Sequence, residues 1–228
     1  MKRILFSLMA LVVVILLDSC KTETTCRIHG TVGIERLNGK RIFLVPLFGP
    51  QTAEYVDSVV IKDGKFEFVT DSAKMFTILV DYHYRSGVQE LLVVGEPGDI
   101  QVKIDSISSA GGAPQNDSLQ VWKEMTEQYH HDNAMYARTV NMLREYNHME
   151  DATKIEQQGR DVRLAYKNRT RQMAANMKGT ALGDFLGGIF PLTYERQMPD
   201  GSTVTIDADT DEPIIYNKVR EENDKARE

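Results

Sequence analysis

The sequence predicts an α+β protein: an N-terminal antiparallel β-sandwich or open barrel, then a helical region made of a helical hairpin and a short helix. Three observations carry that expectation. From Cys26 to Ile107 the chain is a series of short β-rich runs divided by turn residues. No helical period interrupts those runs, which suits antiparallel connections. From Asp117 onward the apolar residues change to a spacing of three, four or seven. The organisation expected is an export signal over 1–19, a tether over 20–25, the β-domain over 26–112, the helical region over 113–192 and a polar charged tail over 193–228.

The strands follow in order. In Cys26-Arg27-Ile28-His29-Gly30-Thr31-Val32, positions 26, 28 and 32 alternate with polar neighbours. That places Cys26 on the inner face, where a thiol packs as a small hydrophobe rather than reacting. Asn38-Gly39 introduces Arg41 to Val45. Tyr55 to Ile61 and Lys65 to Val69 flank Lys62-Asp63-Gly64, and Asp-Gly suits the positive φ angles of a tight hairpin. Met75 to Tyr82, Glu90 to Val94 and Ile100 to Ile104 complete the set, with a second turn at Gly95-Glu96-Pro97-Gly98-Asp99.

The helices are read from their stripes. Leu119, Trp122, Met125, Tyr129, Tyr136, Val140 and Leu143 share one face, with Asn116 or Asp117 as N-cap. The polar stretch Tyr146 to Asp151 breaks that helix. Ile155, Val162, Tyr166, Met173 and Met177 form a second stripe, read as packing rather than a cofactor box. Gly179 stops it, and Thr180 caps a short third helix through Leu182, Phe185 and Leu186. Ser202 to Ile206 is expected as one short strand. Glu212 to Glu228 is expected as a terminal helix or a disordered tail.

The N-terminus speaks to location. Met1-Lys2-Arg3 is basic, and Ile4 to Leu17 is apolar apart from Ser7. Leu17-Asp18-Ser19-Cys20 then resembles the lipobox of bacterial lipoproteins, with Asp18 as its one departure. The resemblance implies loss of residues 1–19 and acylation of Cys20. Several acyl chains hold a protein on a bilayer stably. Lys21 is not an inner-membrane retention aspartate, so the resemblance implies an outer-membrane lipoprotein facing the periplasm or the cell surface. The membrane is thus an expected partner, through Cys20. Nucleic acid is not: the 228-residue chain has a formal net charge of −6, and removing 1–19 leaves it more acidic. The chain has 2 cysteines, so an acylated Cys20 leaves Cys26 without a disulfide partner.

Several blocks recur in a familiar order: Ile28-His29-Gly30-Thr31-Val32, Arg41-Ile42-Phe43-Leu44, Asp57-Ser58-Val59-Val60-Ile61-Lys62-Asp63-Gly64-Lys65-Phe66-Glu67-Phe68, Glu96-Pro97-Gly98-Asp99-Ile100 and Gly112-Ala113-Pro114-Gln115-Asn116-Asp117. Together they resemble the domain of unknown function that precedes a thioredoxin-like domain in Bacteroidetes lipoproteins. Asn176 to Phe190 resembles the helical connector of the same proteins. The resemblance implies a β-sandwich, a lipid-anchored setting and no catalytic residues. A Cys-X-X-Cys pair would follow in that family, and no cysteine follows Cys26 here. The expected function is a non-enzymatic binding or interaction module with an envelope protein as partner and no cofactor. The alternative is an accessory of periplasmic thiol-disulfide systems that has lost its catalytic domain. A hydrolase or sugar-binding enzyme on the sandwich ranks third, for want of an acid pair or metal set.

Other constellations are weaker. Asp207, Asp209 and Asp211 alternate as in a calcium loop, but Glu212 and Lys218 stand where glycine and glutamate are required. His130 and His131, beside Asp132, point about 100° apart on a helix and suit no shared metal. Asp-Ser-aliphatic occurs at Asp57-Ser58, Asp71-Ser72, Asp105-Ser106 and Asp117-Ser118. This resembles the O-glycosylation acceptor motif of exported Bacteroidetes proteins and nominates Ser72, Ser106 and Ser118. Ser58 lies inside an expected strand and is the poorest acceptor.

Overall fold

A computed structural model of the chain describes residues 25–70, 73–80, 88–210 and 213–214. The chain divides into two compact units, one ending at Gln120 and one starting at Val121. The change of composition at residue 112 therefore comes about two helical turns before the change of unit.

Among its described residues the first unit holds eight strands: β1 (Cys26–Val32), β2 (Arg41–Pro46), β3 (Asp57–Val60), β4 (Lys65–Thr70), β5 (Met75–Val80), β6 (Leu91–Val94), β7 (Gly98–Ile104) and β8 (Ser109–Gly111). They form two four-stranded sheets, ordered β4-β1-β7-β8 and β3-β2-β5-β6. Inward side chains of both sheets share one core, including Ile28, Phe68 and Ile100 from the first and Ile42, Ile78 and Val93 from the second. This is the expected sandwich. Pairing is antiparallel with one exception: β1 and β7 run parallel, from Cys26 opposite Gly98 to Val32 opposite Ile104. A parallel pair needs a long crossover, and the strands of the second sheet lie within it.

The Asp-Gly turn forms as expected. Asp63 and Gly64 have φ of 51° and 68°, and Lys62 and Lys65 exchange backbone hydrogen bonds of 2.9 Å in both directions. The strands it joins do not pair as a hairpin, however. Beyond Lys62 and Lys65 they part: β3 joins β2, and β4 joins β1. The turn is a corner between sheets. Ile61 exchanges backbone bonds with Lys40 and Gly39, while Gly64 accepts from Val32. Those outside partners pull the two arms apart. Strand β8 has no sequence signal, being three small residues without apolar alternation.

Helix α1 (Pro114–Glu145) starts in the first unit and continues into the second. In the second unit it is followed by α2 (Met149–Asn176) and α3 (Ala181–Ile189). Tyr129 and Tyr166 stack with ring centroids 4.3 Å apart, and the Tyr166 hydroxyl lies 2.9 Å from Thr126 Oγ1. Trp122 meets Phe185 edge to face at 5.6 Å. The stripe positions thus pack as expected, joined by buried Ala152 and Thr170, whose small side chains hid them from the pattern. Thr180 caps α3 by accepting from Gly183 N at 3.1 Å. Gly183 cannot be replaced without movement, since a Cβ there would stand 2.0 Å from Met177 O.

The expected single strand near the C-terminus is half of a ribbon. Strand β9 (Thr193–Gln197) pairs antiparallel with β10 (Thr203–Asp207) around Asp200-Gly201. All of β9 is exposed, so it lacks the alternation that betrays a half-buried strand. The export signal, Cys20, Ser72 and the charged tail from Ile215 lie outside the described residues. Among the described residues no helix is long and apolar enough to cross a membrane.

Candidate functional site

The most organised polar cluster in the first unit lies where the Gly95–Asp99 turn meets the start of α1. Glu96 is 5% exposed and Asn116 is fully buried. Glu96 Oε1 accepts from Asn116 N at 2.8 Å and from Asn116 Nδ2 at 2.9 Å, and Glu96 Oε2 accepts from Gln115 N at 3.0 Å. The Asn116 amide also donates to Val94 O at 2.8 Å and accepts from Val94 N at 3.0 Å. So Glu96, distant in sequence, caps the helix. Neither expected N-cap does so: Asn116 is spent on Val94 and Glu96, and Asp117 accepts from Gly112 N at 2.8 Å. Pro114 opens the helix, where its missing N–H costs nothing.

Cys26 borders this cluster and is 1% exposed. Burial pushes its thiol above the ordinary range; a hydrogen bond with the Glu96 backbone opposes this, and the Glu96 and Asp99 charges reinforce it. A buried thiol with a raised pKa is a poor nucleophile. The core assignment from strand alternation therefore stands. The chemistry available here is structural: a carboxylate and an amide join the two blocks Glu96-Pro97-Gly98-Asp99 and Gly112 to Asp117.

The remaining sequence candidates fall as follows. Ser106 is exposed beside Ile107, in a turn where Asp105 Oδ1 accepts from Ser106 N at 2.8 Å. Ser118 donates to Pro114 O at 2.9 Å within α1, and Ser58 accepts from Arg41 at 2.7 Å within β3. Of these three, Ser106 presents the least committed hydroxyl. His130 packs on the Tyr129 ring, and His131 lies 3.3 Å from Asp132. Asp207 holds the backbone of Asp209 and Thr210, and Asp209 takes both Lys167 and Arg171. The acidic alternation thus serves a turn and an ion-pair tie; Asp211 lies outside the described residues. Among the described residues no group of three or more potential metal ligands is assembled.

Sequence reasoning passed over Lys123. Its Nζ is buried with no hydrogen-bond partner, and burial lowers its pKa to about 8. Trp122 Nε1 and Thr170 Oγ1 are likewise buried and unpaired. Only Lys123 had a readable signal, a lysine one step from the apolar stripe.

These features define a class: a two-sheet β-domain that holds the N-terminus of a helix through a buried carboxylate. The family described as Domain of unknown function (DUF4369) matches residues 26–119, and this segment of the chain is a DUF4369 domain. The matched span ends one residue before the compact unit does. No curated protein and no solved structure matches the chain.

Proposed function

We propose that this chain is an exported, lipid-anchored protein of the cell envelope whose domains bind rather than catalyse. The anchor rests on Leu17-Asp18-Ser19-Cys20 following a basic start and an apolar run. Acylated at Cys20, the protein sits on the outer membrane of a Bacteroidetes-type envelope, facing the periplasm or the surface, and meets a protein or ligand there. One observation supports a binding role above all: the buried reactive groups of the DUF4369 domain are committed to structure. Glu96 caps a helix and Cys26 is packed away. In the related reading, a companion of a thioredoxin-like enzyme, the thiol chemistry belongs to the partner. Exposed Ser106 is the acceptor we assign for O-glycosylation.

Metabolic labelling with an alkyne fatty acid tests the anchor. The wild type is expected to take the label and fractionate with outer membranes, and Cys20→Ser to lose both properties. Equal labelling of the two proteins rejects it. Insulin-disulfide reduction tests the binding role: the chain is expected to match a buffer control, and an activity surviving Cys26→Ser would defeat it.

A further inference from the structure

The second unit carries a groove of about 420 Å³ between α1 and α2. Asn133, Tyr136, Val140, Asn141 and Arg144 line it from α1, and Glu156, Gly159, Arg160 and Arg163 from α2. Its charge is the reverse of the chain's, which totals −6. Arg144 and Glu156 neutralise one another at 3.1 Å. Arg160 is steadied by Gln157 Oε1, at 3.0 Å from Nε and 2.6 Å from Nη2, which leaves its charge unbalanced. Arg163, like Asn133, Asn141 and the Tyr136 hydroxyl, has no side-chain hydrogen bond or ion pair among the described residues. Residues bearing guanidinium, amide and phenol groups therefore line one opening, with an excess of positive charge.

Gly159 adds a second, independent observation. Glycine inside a helix is less stable than alanine. Nothing in the packing demands it here: a Cβ at Gly159 would stand 3.5 Å from Tyr136 Cβ, an ordinary contact. The residue keeps open the wall opposite Tyr136 at a cost to the helix.

We infer that this groove binds a sugar bearing an oxyanion, a carboxylate or a phosphate. Guanidinium groups hold such oxyanions through paired charge-assisted hydrogen bonds. The Asn133 and Asn141 amides and the Tyr136 hydroxyl each both donate and accept, as sugar hydroxyls require. Tyr136 and Val140 offer an apolar wall for the ring. The volume falls in the range of small-ligand sites and exceeds what a bare anion fills. This deepens the binding reading and rests on it, but not on the anchor, which fatty-acid labelling accepts or rejects separately.

Calorimetric titration of the full chain in nonionic detergent tests the inference, with D-glucuronate and glucose 6-phosphate as probes and glucose and inorganic phosphate as controls. Saturable binding of either acidic sugar, weakened by added salt, is expected. Glucuronate alone binding identifies a carboxylate ligand, and glucose 6-phosphate alone a phosphate ligand. Arg163→Gln should weaken binding about tenfold through loss of charge-assisted bonds, and Gly159→Leu should abolish it by filling the groove. The two variants act differently, so a folding defect in one leaves the other decisive; Trp122 emission reports folding. The inference is overturned if neither acidic sugar binds at millimolar concentration, if glucose or inorganic phosphate binds as tightly, or if well-folded Arg163→Gln binds like the wild type.

Discussion

The two units solve the same packing problem with different completeness. In the sandwich the core positions are apolar and buried, and the buried polar groups Glu96 and Asn116 are hydrogen-bonded to each other and to the backbone. In the helical unit the contact face is built from Trp122, Tyr129, Tyr166 and Phe185, and it leaves Trp122 Nε1, Lys123 Nζ and Thr170 Oγ1 buried without partners. A finished core specifies shape, whereas unpaired polar atoms cost stability. The first unit therefore reads as scaffold, and the second as the place where stability has been given up.

The sharpest way to break that comparison is to unfinish the scaffold. Glu96→Ala strips the cap from α1 and leaves the Gln115 and Asn116 donors facing an apolar methyl. The expected loss is about 3 kcal/mol, the scale of unsatisfied buried groups. Glu96→Gln keeps an acceptor and should lose less. Denaturant unfolding followed by peptide-resolved Cys26 labelling reads this unit alone. A midpoint unchanged in Glu96→Ala would mean that the buried cluster does not hold the domain together.

The converse change should repair the second unit. Lys123→Met replaces a buried, unpaired amine by an apolar chain of similar length. A gain of about 2 kcal/mol at neutral pH is expected, from removing the desolvation penalty. The pH dependence has a definite sign. The Lys123 pKa is lowered from 10.5 to about 8 in the folded chain, so the folded state releases its proton first as pH rises. Wild-type stability should climb between those two values, and the advantage of Lys123→Met should shrink over the same window. Trp122, the single tryptophan, reports the melt. A destabilised variant, or an advantage independent of pH, would show that the amine is solvated.

The sandwich was more legible than the helical unit's details because alternation reports burial directly. Ile28, Phe66, Phe68 and Ile100 could be assigned to the core from period alone. Asp63-Gly64 could be assigned to a turn because few pairs accept two positive φ angles. That this turn separates sheets could not be read, since its cause is the set of distant partners Lys40, Gly39 and Val32. The cap on α1 was hidden for the same reason: a cap from Glu96 leaves no mark within the helix sequence. Strand β9 escaped because every residue is exposed, and the groove because Gly159, Arg160 and Arg163 look like any solvated helical face.

Cys26 offers a finer measurement on the scaffold side. Cys26→Ala removes a small, fully buried group and should cost about 1 kcal/mol. In the native wild type the thiol should label slowly, because burial both shields it and disfavours the thiolate. Rapid native labelling at Cys26 would place it outside the core and return redox chemistry to consideration.

The smallest expected effect belongs to the tie that fastens the ribbon of the second unit. Asp209 accepts from Lys167 and, at 2.6 Å, from Arg171 Nη1; these partners, Arg171 first, bring its carboxyl down to about 2 from the ordinary 3.8. A depressed carboxyl adds stability that is fully present above the ordinary value and is lost as pH falls toward the lowered one. Any contribution of Asp209 should therefore disappear between those two values, and Asp209→Asn should show no such loss. The effect is expected to be slight, because the pair is half exposed and screened by water. Arg171 also keeps its bonds to Phe190 O at 3.0 Å and Pro191 O at 2.8 Å when Asp209 is gone. Amide exchange at Ala208, which donates to Leu192 O at 2.9 Å, is the local reporter. In Asp209→Asn that amide should exchange faster while Trp122 emission stays unchanged. A global shift in Trp122 instead would mean that the ribbon and the aromatic face unfold together, and that the second unit is as cooperative as the first.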